Sequence, residues 1–409
     1  MNNALDNFSL PFLLDELVEA GLPKSIAERL NFLPSLILGT EGIDSLTGTE
    51  DRDYIFGLGG DDSIEGLGGN DFLFSGEGNN TVRGGDGRDR IYGKSGADRL
   101  FGDAGDDRFR DISGGNEIDG GEGRDTVNYR NVDEAIALEF KIRGDFLEEV
   151  TSDSGLQITQ PNLEPDRIDN IERIIAPEGK ANSIDFQDQF LDISLSGPSF
   201  AQSVSVNLAE ETLETEVAFE EVSVTIENFV DVVGSSLGDI IIGDEADNNL
   251  DGRLGDNLIE GGEGNDFIST FERDTLTGGG GSDTFQIRGK TVAPGSFIGP
   301  FPPTTRDVQG STITDFQPGE DSIQLSSTSS EVRIVAGFSS IYTGFSELPL
   351  GQLDPSLFRF AGSGDAPSSP HIAYDSSSGD LFYQEADLSS KIATLQGAPA
   401  LSASDIFVV

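Results

Sequence analysis

Ten nine-residue repeats follow one another without a break over residues 39–128. Glycine usually occupies the first and fourth positions, Asp or Asn always occupies the sixth, and a large apolar residue always occupies the eighth. "GGDGRDRIY", from Gly84 to Tyr92, is a typical copy. A second series covers residues 234–286 and includes one eight-residue copy that begins at Thr270. A register held over so many copies cannot be due to chance.

A single repeat cannot stabilise its own fold. Burial of its one large apolar side chain contributes about 1.5–3 kcal/mol, whereas ordering its backbone costs about 1–2 kcal/mol per residue. Charge adds to this deficit, because 74 Asp and Glu against 25 Lys and Arg give a net charge of −49. Self-repulsion of this size opposes compaction, and it repels nucleic acid and anionic membranes. We therefore expect folding to depend on cations, and we expect no nucleic-acid partner.

Each repeat carries the oxygen donors that a hard cation needs. Glycines at the first and fourth positions permit positive φ, so the first six residues can form a tight loop with its carbonyl oxygens on one side. The sixth side chain brings a further oxygen to the same place. Such an oxygen cage suits Ca²⁺ better than Mg²⁺. The chain has no cysteine and one histidine, which excludes thiolate and multi-histidine metal sites.

The candidate metal ligands are the sixth-position residues of both series. They are Asp44, Asp53, Asp62, Asp71, Asn80, Asp89, Asp98, Asp107, Asn116, Asp125, Asp239, Asn248, Asn257, Asp266, Asp274 and Asp283.

The pattern resembles the RTX (hemolysin-type) calcium-binding repeat. The resemblance implies a right-handed parallel β-roll with two repeats per turn. It also implies Ca²⁺ between successive loops, held by the sixth-position side chain and by carbonyls of the first four positions. Loops 18 residues apart would be neighbours, which defines two ladders. The Asp53 ladder contains Asp53, Asp71, Asp89, Asp107 and Asp125, and the Asp44 ladder contains Asp44, Asp62, Asn80, Asp98 and Asn116.

The two ladders differ in their predicted metal content. Ten loops leave at most eight sites between neighbours. Both asparagines, Asn80 and Asn116, fall in the Asp44 ladder. Asparagine offers an oxygen but no charge, so we expect weaker or missing Ca²⁺ in that ladder.

The sequence predicts an all-β chain of five segments. Residues 1–38 have apolar residues at helical spacing, which predicts a short helical cap, with a partner-docking helix as the alternative. Residues 39–128 and 234–286 are the two β-rolls. Residues 129–233 are a β-rich, solenoid-like spacer, and residues 287–409 are a β-rich C-terminal domain. In that domain "STITDFQPGEDSIQLSS" and "HIAYDSSSGDLFYQ" each predict two strands paired across a turn.

The C-terminal segment resembles the end of serralysin-type secreted proteins. "IAYDSSSGDLFYQEAD", from Ile372 to Asp387, resembles their strand–turn–strand, and Asp405 followed by four apolar residues resembles their tail. The resemblance implies an uncleaved signal read by a type I (ABC) exporter. It agrees with an N-terminus that has no early basic residue before Lys24. We expect a secreted protein with a cell-surface, matrix or adhesive role and no transmembrane segment.

Two function classes remain as alternatives. We expect a non-catalytic exoprotein that folds on meeting extracellular Ca²⁺. A secreted hydrolase with a site in residues 129–233 or 287–409 is the alternative. A zinc protease would need an H-E-x-x-H helix, and a lipase would need a G-x-S-x-G elbow with a catalytic histidine. The only histidine, His371, begins a predicted strand and is expected to serve packing or to lie at the surface.

Overall fold

The computed structural model describes most of the chain from residue 35 onward. The described ranges are 35–141, 155–186, 203–291, 310–361 and 370–409. Within them, the positions left out are 111, 113, 114, 133, 134, 161, 162, 164, 218, 219, 236, 272, 289, 328, 329, 336, 337, 344, 386 and 387. The predicted helical cap therefore lies almost wholly outside the described residues. Its last part, Leu36–Leu38, is a β-strand and not helical.

The described residues fall into two compact units, and their strands are numbered in chain order. One unit comprises Met1–Ile136 and Gly155–Lys180, and the other comprises Ala137–Ser154 and Ala181–Val409. The division into five segments stays a prediction.

The first unit is a stack of short parallel strands. Its strands are β1 Leu36–Leu38, β2 Ser45–Thr47, β3 Tyr54–Phe56, β4 Ser63–Gly69, β5 Phe72–Glu77, β6 Thr81–Gly87, β7 Arg90–Ser95, β8 Arg99–Ala104, β9 Arg108–Arg110, β10 Glu117–Asp119, β11 Thr126–Asn128, β13 Gly155–Thr159, β14 Asp166–Asp169 and β15 Arg173–Ile175.

Alternate strands of this unit build two parallel sheets. One sheet runs β1, β3, β5, β7, β9, β11, β15. The other runs β2, β4, β6, β8, β10, β14, with β13 antiparallel at its end. Within the repeats each residue pairs with the residue 18 positions away, as Ile55 does with Leu73. Two repeats therefore make one turn.

The core between these two sheets consists of the eighth-position side chains. From the second repeat onward each of them is fully buried, with 0% exposure: Ile55, Ile64, Leu73, Val82, Ile91, Leu100, Phe109, Ile118 and Val127. Leu46, in the first repeat, is only half-buried. The eighth position supplies one buried apolar residue per strand, and β3 and β5 add the buried rings of Phe56, Phe72 and Phe74. A core of so few apolar side chains leaves much of the stabilisation to the loops.

The second unit contains the second repeat series and the strands that follow it. Its strands are β12 Ala137–Lys141, β16 Ser183–Asp185, β17 Ser205–Asn207, β18 Thr212–Val217, β19 Glu220–Glu227, β20 Asp231–Val233, β21 Ile240–Ile242, β22 Asn249–Asp251, β23 Leu258–Glu263, β24 Phe267–Thr270, β25 Thr275–Gly280, β26 Thr284–Ile287, β27 Lys290–Thr291, β28 Ser311–Ile313, β29 Ser322–Leu325, β30 Ser330–Val335, β31 Phe338–Thr343, β32 Gly351–Gln352, β33 Phe358–Phe360, β34 His371–Asp375, β35 Asp380–Glu385, β36 Leu388–Leu395 and β37 Ile406–Val408.

Two parallel sheets again dominate this unit. One runs β12, β16, β20, β22, β24, β26, β29, β37, with β32 antiparallel to β37. The other runs β17, β21, β23, β25, β28, β36, and antiparallel strands β34 and β35 extend it beyond β36. Strands β27, β31 and β30 form a small antiparallel sheet. The only helices among the described residues are two 3₁₀ turns, Pro355–Leu357 and Ala403–Asp405.

One predicted hairpin is confirmed and the other is wrong. Strands β34 and β35 pair antiparallel across the Ser-Gly turn. Strands β28 and β29, predicted to pair across Pro318 and Gly319, instead join different sheets, each parallel to a strand of the second series. The reason is that Phe316–Gln324 is itself a nonapeptide, with Gly319, Asp321 and Ile323 at the fourth, sixth and eighth positions.

No helix among the described residues is both long enough and apolar enough to span a membrane.

Candidate metal centre

The sixth-position side chains of the first series form two continuous hydrogen-bonded ladders. In the Asp53 ladder each backbone N–H donates to Oδ1 of the aspartate one turn further on, as Asp71 N–H does to Asp89 at 2.8 Å and Asp89 N–H does to Asp107 at 2.8 Å. The Asp44 ladder follows the same rule, with Asp62 N–H donating to Asn80 Oδ1 at 2.9 Å. The turn of each loop therefore places every sixth side chain beneath its neighbour.

The second series repeats this arrangement. Asp239 N–H donates to Asn257 Oδ1 at 2.9 Å, and Asn257 N–H donates to Asp274 Oδ1 at 2.8 Å. In the other ladder Asn248 N–H donates to Asp266 and Asp266 N–H donates to Asp283, at 2.8 and 2.9 Å. All sixteen predicted residues thus lie in loop stacks.

The ladders extend further than the repeat pattern indicates. Asn116 N–H donates to Asp166 Oδ1 at 2.7 Å, and Asp125 N–H donates to Glu172 Oε2 at 2.6 Å. In the second unit Asp283 N–H donates to Asp321 Oδ1 at 3.0 Å. Sequence reasoning missed these three acidic residues, although each stands two residues before an isoleucine, which is the spacing of the sixth and eighth repeat positions.

Asp166 closes the Asp44 ladder without needing a cation. Besides Asn116 N–H, its carboxylate accepts hydrogen bonds from Tyr129 OH at 2.9 Å and from Gln160 Nε2 at 2.9 Å. Asn116 Nδ2 adds another at 2.8 Å. A buried carboxylate with four donors is satisfied by protein alone.

Six other aspartates keep a buried oxygen that no donor reaches. The unpaired atom is Oδ2 in each, and the residues are Asp62, Asp71, Asp89, Asp107, Asp125 and Asp266. Buried polar atoms are almost always hydrogen-bonded, so an unpaired one calls for a partner that is not a protein donor.

A second oxygen faces each unpaired carboxylate oxygen. Both oxygens lie next to the first-position glycine of the loop. A Cβ added at Gly84, for example, would meet both Asp89 Oδ2 and the Gly102 carbonyl oxygen of the next loop. The same pair of oxygens meets at Gly57, Gly66, Gly102, Gly120 and Gly261. Two acceptors pointing at one small space repel each other unless a cation lies between them. The donor set is entirely oxygen, which fits Ca²⁺.

Side chains alone do not complete such a site. No group of three acidic or histidine side chains converges within the part of the chain that the structure describes. A cation in these loops would therefore draw most of its ligands from backbone carbonyls, with one or two carboxylates supplying charge.

Burial makes the unpaired carboxylates costly to ionise. It raises the pKa of Asp71 to about 7, and of Asp89 and Asp125 to about 6. Burial and then the like charges of Asp89 and Asp125 raise the pKa of Asp107 to about 8. In the second series burial raises the pKa of Asp266 to about 7. Burial is the largest cause of each shift, because it disfavours the charged form of a carboxyl group.

Several sixth-position residues are satisfied by the chain itself. A neighbouring hydroxyl donates to the carboxylate in five cases, which are Thr40–Asp44, Thr49–Asp53, Ser75–Asp98, Ser235–Asp239 and Thr270–Asp274. The side-chain amide of each asparagine likewise donates to a protein oxygen, in Asn80, Asn116, Asn248 and Asn257. Only Oδ1 of Asp53 stays unpaired in this group. In the other aspartates of the Asp53 ladder, Oδ1 accepts the backbone N–H of the residue 18 positions earlier. For Asp53 that residue is Ser35, which lies before the repeats.

The sequence contains a match to G-x-S-x-G that belongs to the repeats. Gly234–Gly238 begins the second series, with Asp239 at the sixth position, and Ser236 lies outside the described residues. Strand β21 follows it, whereas a nucleophile elbow needs a helix there. His371, the first residue of β34, is buried at 4% exposure, which agrees with a packing role.

Comparison with known proteins identifies the repeats. The HemolysinCabind model of the RTX calcium-binding nonapeptide repeat matches four times, at residues 38–73, 74–109, 233–268 and 270–286. No curated protein matches the chain.

Two solved structures are similar to parts of the chain. One is the AlgE6R3 subunit of the mannuronan C5-epimerase from Azotobacter vinelandii, with 26% identity over 42% of this chain and 80% of that one, and a TM-score of 0.26. The other is the extracellular lipase LipA from Serratia marcescens, with 14% identity over 83% of this chain and 40% of that one, and a TM-score of 0.20. Similarity this low carries no argument about activity. The four repeat matches do identify the loop stacks at those residues as RTX calcium-binding nonapeptide repeats.

Proposed function

We propose that this chain is a secreted, non-catalytic protein that binds Ca²⁺ in its loop stacks and folds when it meets extracellular Ca²⁺. The observation that carries the proposal is the set of six buried, unpaired carboxylate oxygens, each facing a backbone carbonyl oxygen. Protein donors satisfy most other sixth-position side chains, so the unpaired oxygens are not a general property of the loops.

The residues that would hold the ions are Asp62, Asp71, Asp89, Asp107, Asp125 and Asp266. Four of them belong to the Asp53 ladder and one to the Asp44 ladder. This imbalance supports the expectation that the Asp53 ladder is the fuller one. Bound Ca²⁺ supplies the positive charge that lets these buried carboxylates ionise. The loops contribute rigidity, since the N–H of each sixth residue fixes Oδ1 of the next and leaves Oδ2 directed into the space between loops.

The magnitude of the effect supports coupling between binding and folding. At a Ca²⁺ concentration tenfold above Kd one site contributes about 1.4 kcal/mol, and six such sites contribute about 8 kcal/mol. That equals a large part of the 5–15 kcal/mol by which a typical domain is stable. In low Ca²⁺ this contribution disappears, and the net charge of −49 opposes compaction.

A calcium titration followed by circular dichroism tests this proposal. Ca²⁺ added to EDTA-treated protein should produce the β-sheet spectrum cooperatively, EDTA should reverse it, and the same concentration of Mg²⁺ should not replace it. A β-sheet spectrum that is already complete in EDTA would contradict the proposal.

We further propose that the C-terminal segment carries the export signal for a type I (ABC) exporter. In the folded unit the last strand, β37, lies between β29 and β32, and Ile406 and Val408 are 0% and 1% exposed. The side chains of Ile406 and Val408 are therefore accessible only before folding, which supports export of an unfolded chain into calcium-rich surroundings. Residues 350–409 fused to a passenger protein should direct its export in cells that contain such an exporter, and retention of the fusion would contradict this part.

The non-catalytic, surface or matrix role is tested on the secreted protein. We expect no hydrolysis of ester, peptide or glycosidic substrates, and we expect calcium-dependent retention at the cell surface. A hydrolase activity that one point mutation in residues 129–233 or 287–409 abolishes would overturn this role.

A further inference from the structure

Ten loops of the two series fall into two backbone forms that differ at the second residue of the loop. Gly76, Arg253 and Gly279 also have positive φ at this position, but the sixth residues of their loops are not among the six with an unpaired oxygen. In one form this residue has positive φ, as at Leu58, Leu67, Gly85, Asp103, Gly121 and Gly262, where φ lies between 69° and 111°. These six loops contain the six unpaired oxygens of Asp62, Asp71, Asp89, Asp107, Asp125 and Asp266. We call them open loops.

In the other form the second residue does not have positive φ and closes the loop with its own N–H. Thr40 N–H donates to Asp44 Oδ2 at 2.6 Å, and Thr49 N–H donates to Asp53 Oδ2 at 2.6 Å. The second series does the same, where Ser235 N–H donates to Asp239 Oδ2 at 2.8 Å and Asp244 N–H donates to Asn248 Oδ1 at 2.9 Å. We call these four the closed loops.

The side chain of the second residue holds the closed form in place. The Thr49 hydroxyl donates to Asp53 Oδ2 at 3.0 Å and accepts the N–H of Asp51 at 3.2 Å. The hydroxyls of Thr40 and Ser235 accept the equivalent N–H groups of Gly42 and Leu237, at 3.2 and 3.1 Å. Threonine is also β-branched, which makes positive φ unfavourable. Hydroxyl residues at this position therefore favour a local turn over the open form.

A closed loop presents the wrong charge to a cation. The N–H of its second residue donates to the side-chain oxygen that corresponds to the unpaired one of an open loop. In three of the four closed loops a hydroxyl also donates to the carboxylate. The lone pairs of this side-chain oxygen are therefore occupied by hydrogen bonds, and the positive ends of the donor groups face the space between loops. A closed loop nevertheless has the same two oxygens beside its first residue, because a Cβ added at Gly48 would meet the Gly66 carbonyl oxygen at 2.5 Å and Asp53 Oδ2 at 2.7 Å.

The closed loops occupy corresponding places in the two series. They are the first two repeats of each, beginning at Gly39 and Gly48 and at Gly234 and Gly243. In each series one closed loop lies on each of the two ladders, so the two closed loops together form the first full turn of that series. Two independent series that begin with the same closed pair indicate a shared role for that turn.

We propose that these four closed loops are calcium-free, that they form the first turn of each series without an ion, and that the residue at the second loop position decides whether a loop takes Ca²⁺. This inference rests on the proposed function, because it assigns which loops of the same stacks are metal sites. The residues that exclude the ion are Thr40, Thr49, Ser235 and Asp244.

Ion counting on full-length variants tests the inference. Thr49→Gly removes the hydroxyl and permits positive φ, so bound Ca²⁺ per molecule, measured by equilibrium dialysis with elemental analysis, should rise by one. The matched control is Leu67→Gly, the same substitution at the second position of the next loop on the same ladder. That loop is already open and Leu67 is 42% exposed, so its ion count should stay that of the unsubstituted protein.

Further outcomes separate this inference from the proposed function. Thr49→Ala removes only the hydroxyl and keeps a residue that disfavours positive φ, so the ion count should not rise. Ser235→Gly repeats the test in the second series. An unsubstituted protein that binds no Ca²⁺ would overturn the proposed function. Binding by that protein with no additional ion in Thr49→Gly or Ser235→Gly would overturn only the inference. Failure of both variants to fold in saturating Ca²⁺ would also overturn the inference, because open loops already fold in the same stacks.

Discussion

Asp107 shows in one residue why the loops need a cation. Its carboxyl is buried, Oδ1 accepts Asp89 N–H at 2.8 Å, and Oδ2 has no donor. Burial, with Asp89 and Asp125 above and below it on the ladder, raises its pKa to about 8. The residue destabilises a calcium-free roll and becomes a ligand in a calcium-loaded one.

This dual role predicts that the effect of Asp107→Asn on folding differs in sign with and without Ca²⁺. In saturating Ca²⁺ the variant should lose one site and about 1.4 kcal/mol of unfolding free energy at a Ca²⁺ concentration tenfold above Kd. In EDTA the folded fraction of the variant should be no lower than that of the unsubstituted protein, because a buried charge is removed. Urea unfolding in Ca²⁺ and circular dichroism in EDTA measure this. Asp44→Asn, in a closed loop, is the control and should have the same small effect with and without Ca²⁺; equal losses for Asp107→Asn in both conditions would contradict the account.

The raised pKa values also predict how pH acts without Ca²⁺. Asp71, Asp107 and Asp266 have folded pKa values of about 7, 8 and 7, above the usual value of an aspartate. The folded calcium-free protein then holds more protons than the unfolded chain, so its stability should fall as pH rises from about 4 to 8. Circular dichroism in EDTA at pH 5 and pH 8 measures the difference as a change in the folded fraction. Asp107→Asn should flatten the dependence, and stability that increases toward pH 8 in EDTA would contradict the assignment.

At the scale of the residue, the sequence predicted the candidate ligands but not their state. The repeat register identified the sixth-position residues of both predicted series and the ladders of the first series, and it missed Asp321. It did not separate Asp71, whose Oδ2 is unpaired, from Asp53, whose Oδ2 accepts Thr49 N–H. That distinction depends on a backbone torsion at the second position. The hydroxyl residues Thr40, Thr49 and Ser235 were readable signs of it, whereas positive φ at Leu58 and Leu67 was not, since leucine rarely adopts it.

At the scale of the element, the turn between strands depends on the fourth-position glycine. Gly87 has φ of 136°, and an added Cβ would collide with the backbone carbonyl of Gly69 one turn away. The same collision recurs at Gly105 with Gly87 and at Gly123 with Gly105. The spacing between neighbouring loops, and hence between the oxygens that face each other, requires glycine here.

Gly87→Ala should therefore destabilise the calcium-loaded fold. Positive φ and the overlap with a neighbouring backbone together should cost about 2–4 kcal/mol of unfolding free energy. Gly42→Ala is the matched control, because Gly42 holds the fourth position of a closed loop, lacks positive φ and has only the Thr40 hydroxyl nearby, at 3.8 Å. Thermal and urea unfolding measure both variants, and similar losses in the two would contradict this explanation.

The parallel sheets were predictable from the nine-residue repeat. The continuation of the loop stacks beyond the two repeat series was not. The 18-residue spacing correctly paired strands β2 to β11 and placed the eighth residues inside. It failed where the period is interrupted, because Ile118 pairs with Ile168 and Val127 pairs with Ile174 across long insertions. It also failed at Phe316–Gln324, where a Pro-Gly sequence resembled a hairpin turn and the repeat around Asp321 was overlooked. Local turn signals do not reveal which distant strand a segment will join.

At the scale of the whole molecule, net charge determines what the ions must achieve. A charge of −49 disfavours any compact state. Salt can screen surface repulsion, with a Debye length of about 8 Å at physiological ionic strength. It cannot supply a ligand to a buried Oδ2. Specific Ca²⁺ binding therefore does more than screening can, and high NaCl in EDTA should not replace Ca²⁺.

Hydrogen exchange of the first series, followed by mass spectrometry on peptides from residues 57–128, tests the central claim most directly. We predict strong amide protection in Ca²⁺ and loss of that protection in EDTA, with no recovery in high NaCl or in Mg²⁺. Equal protection of these residues in Ca²⁺ and in EDTA would show that the roll folds without the ion, and it would contradict the account.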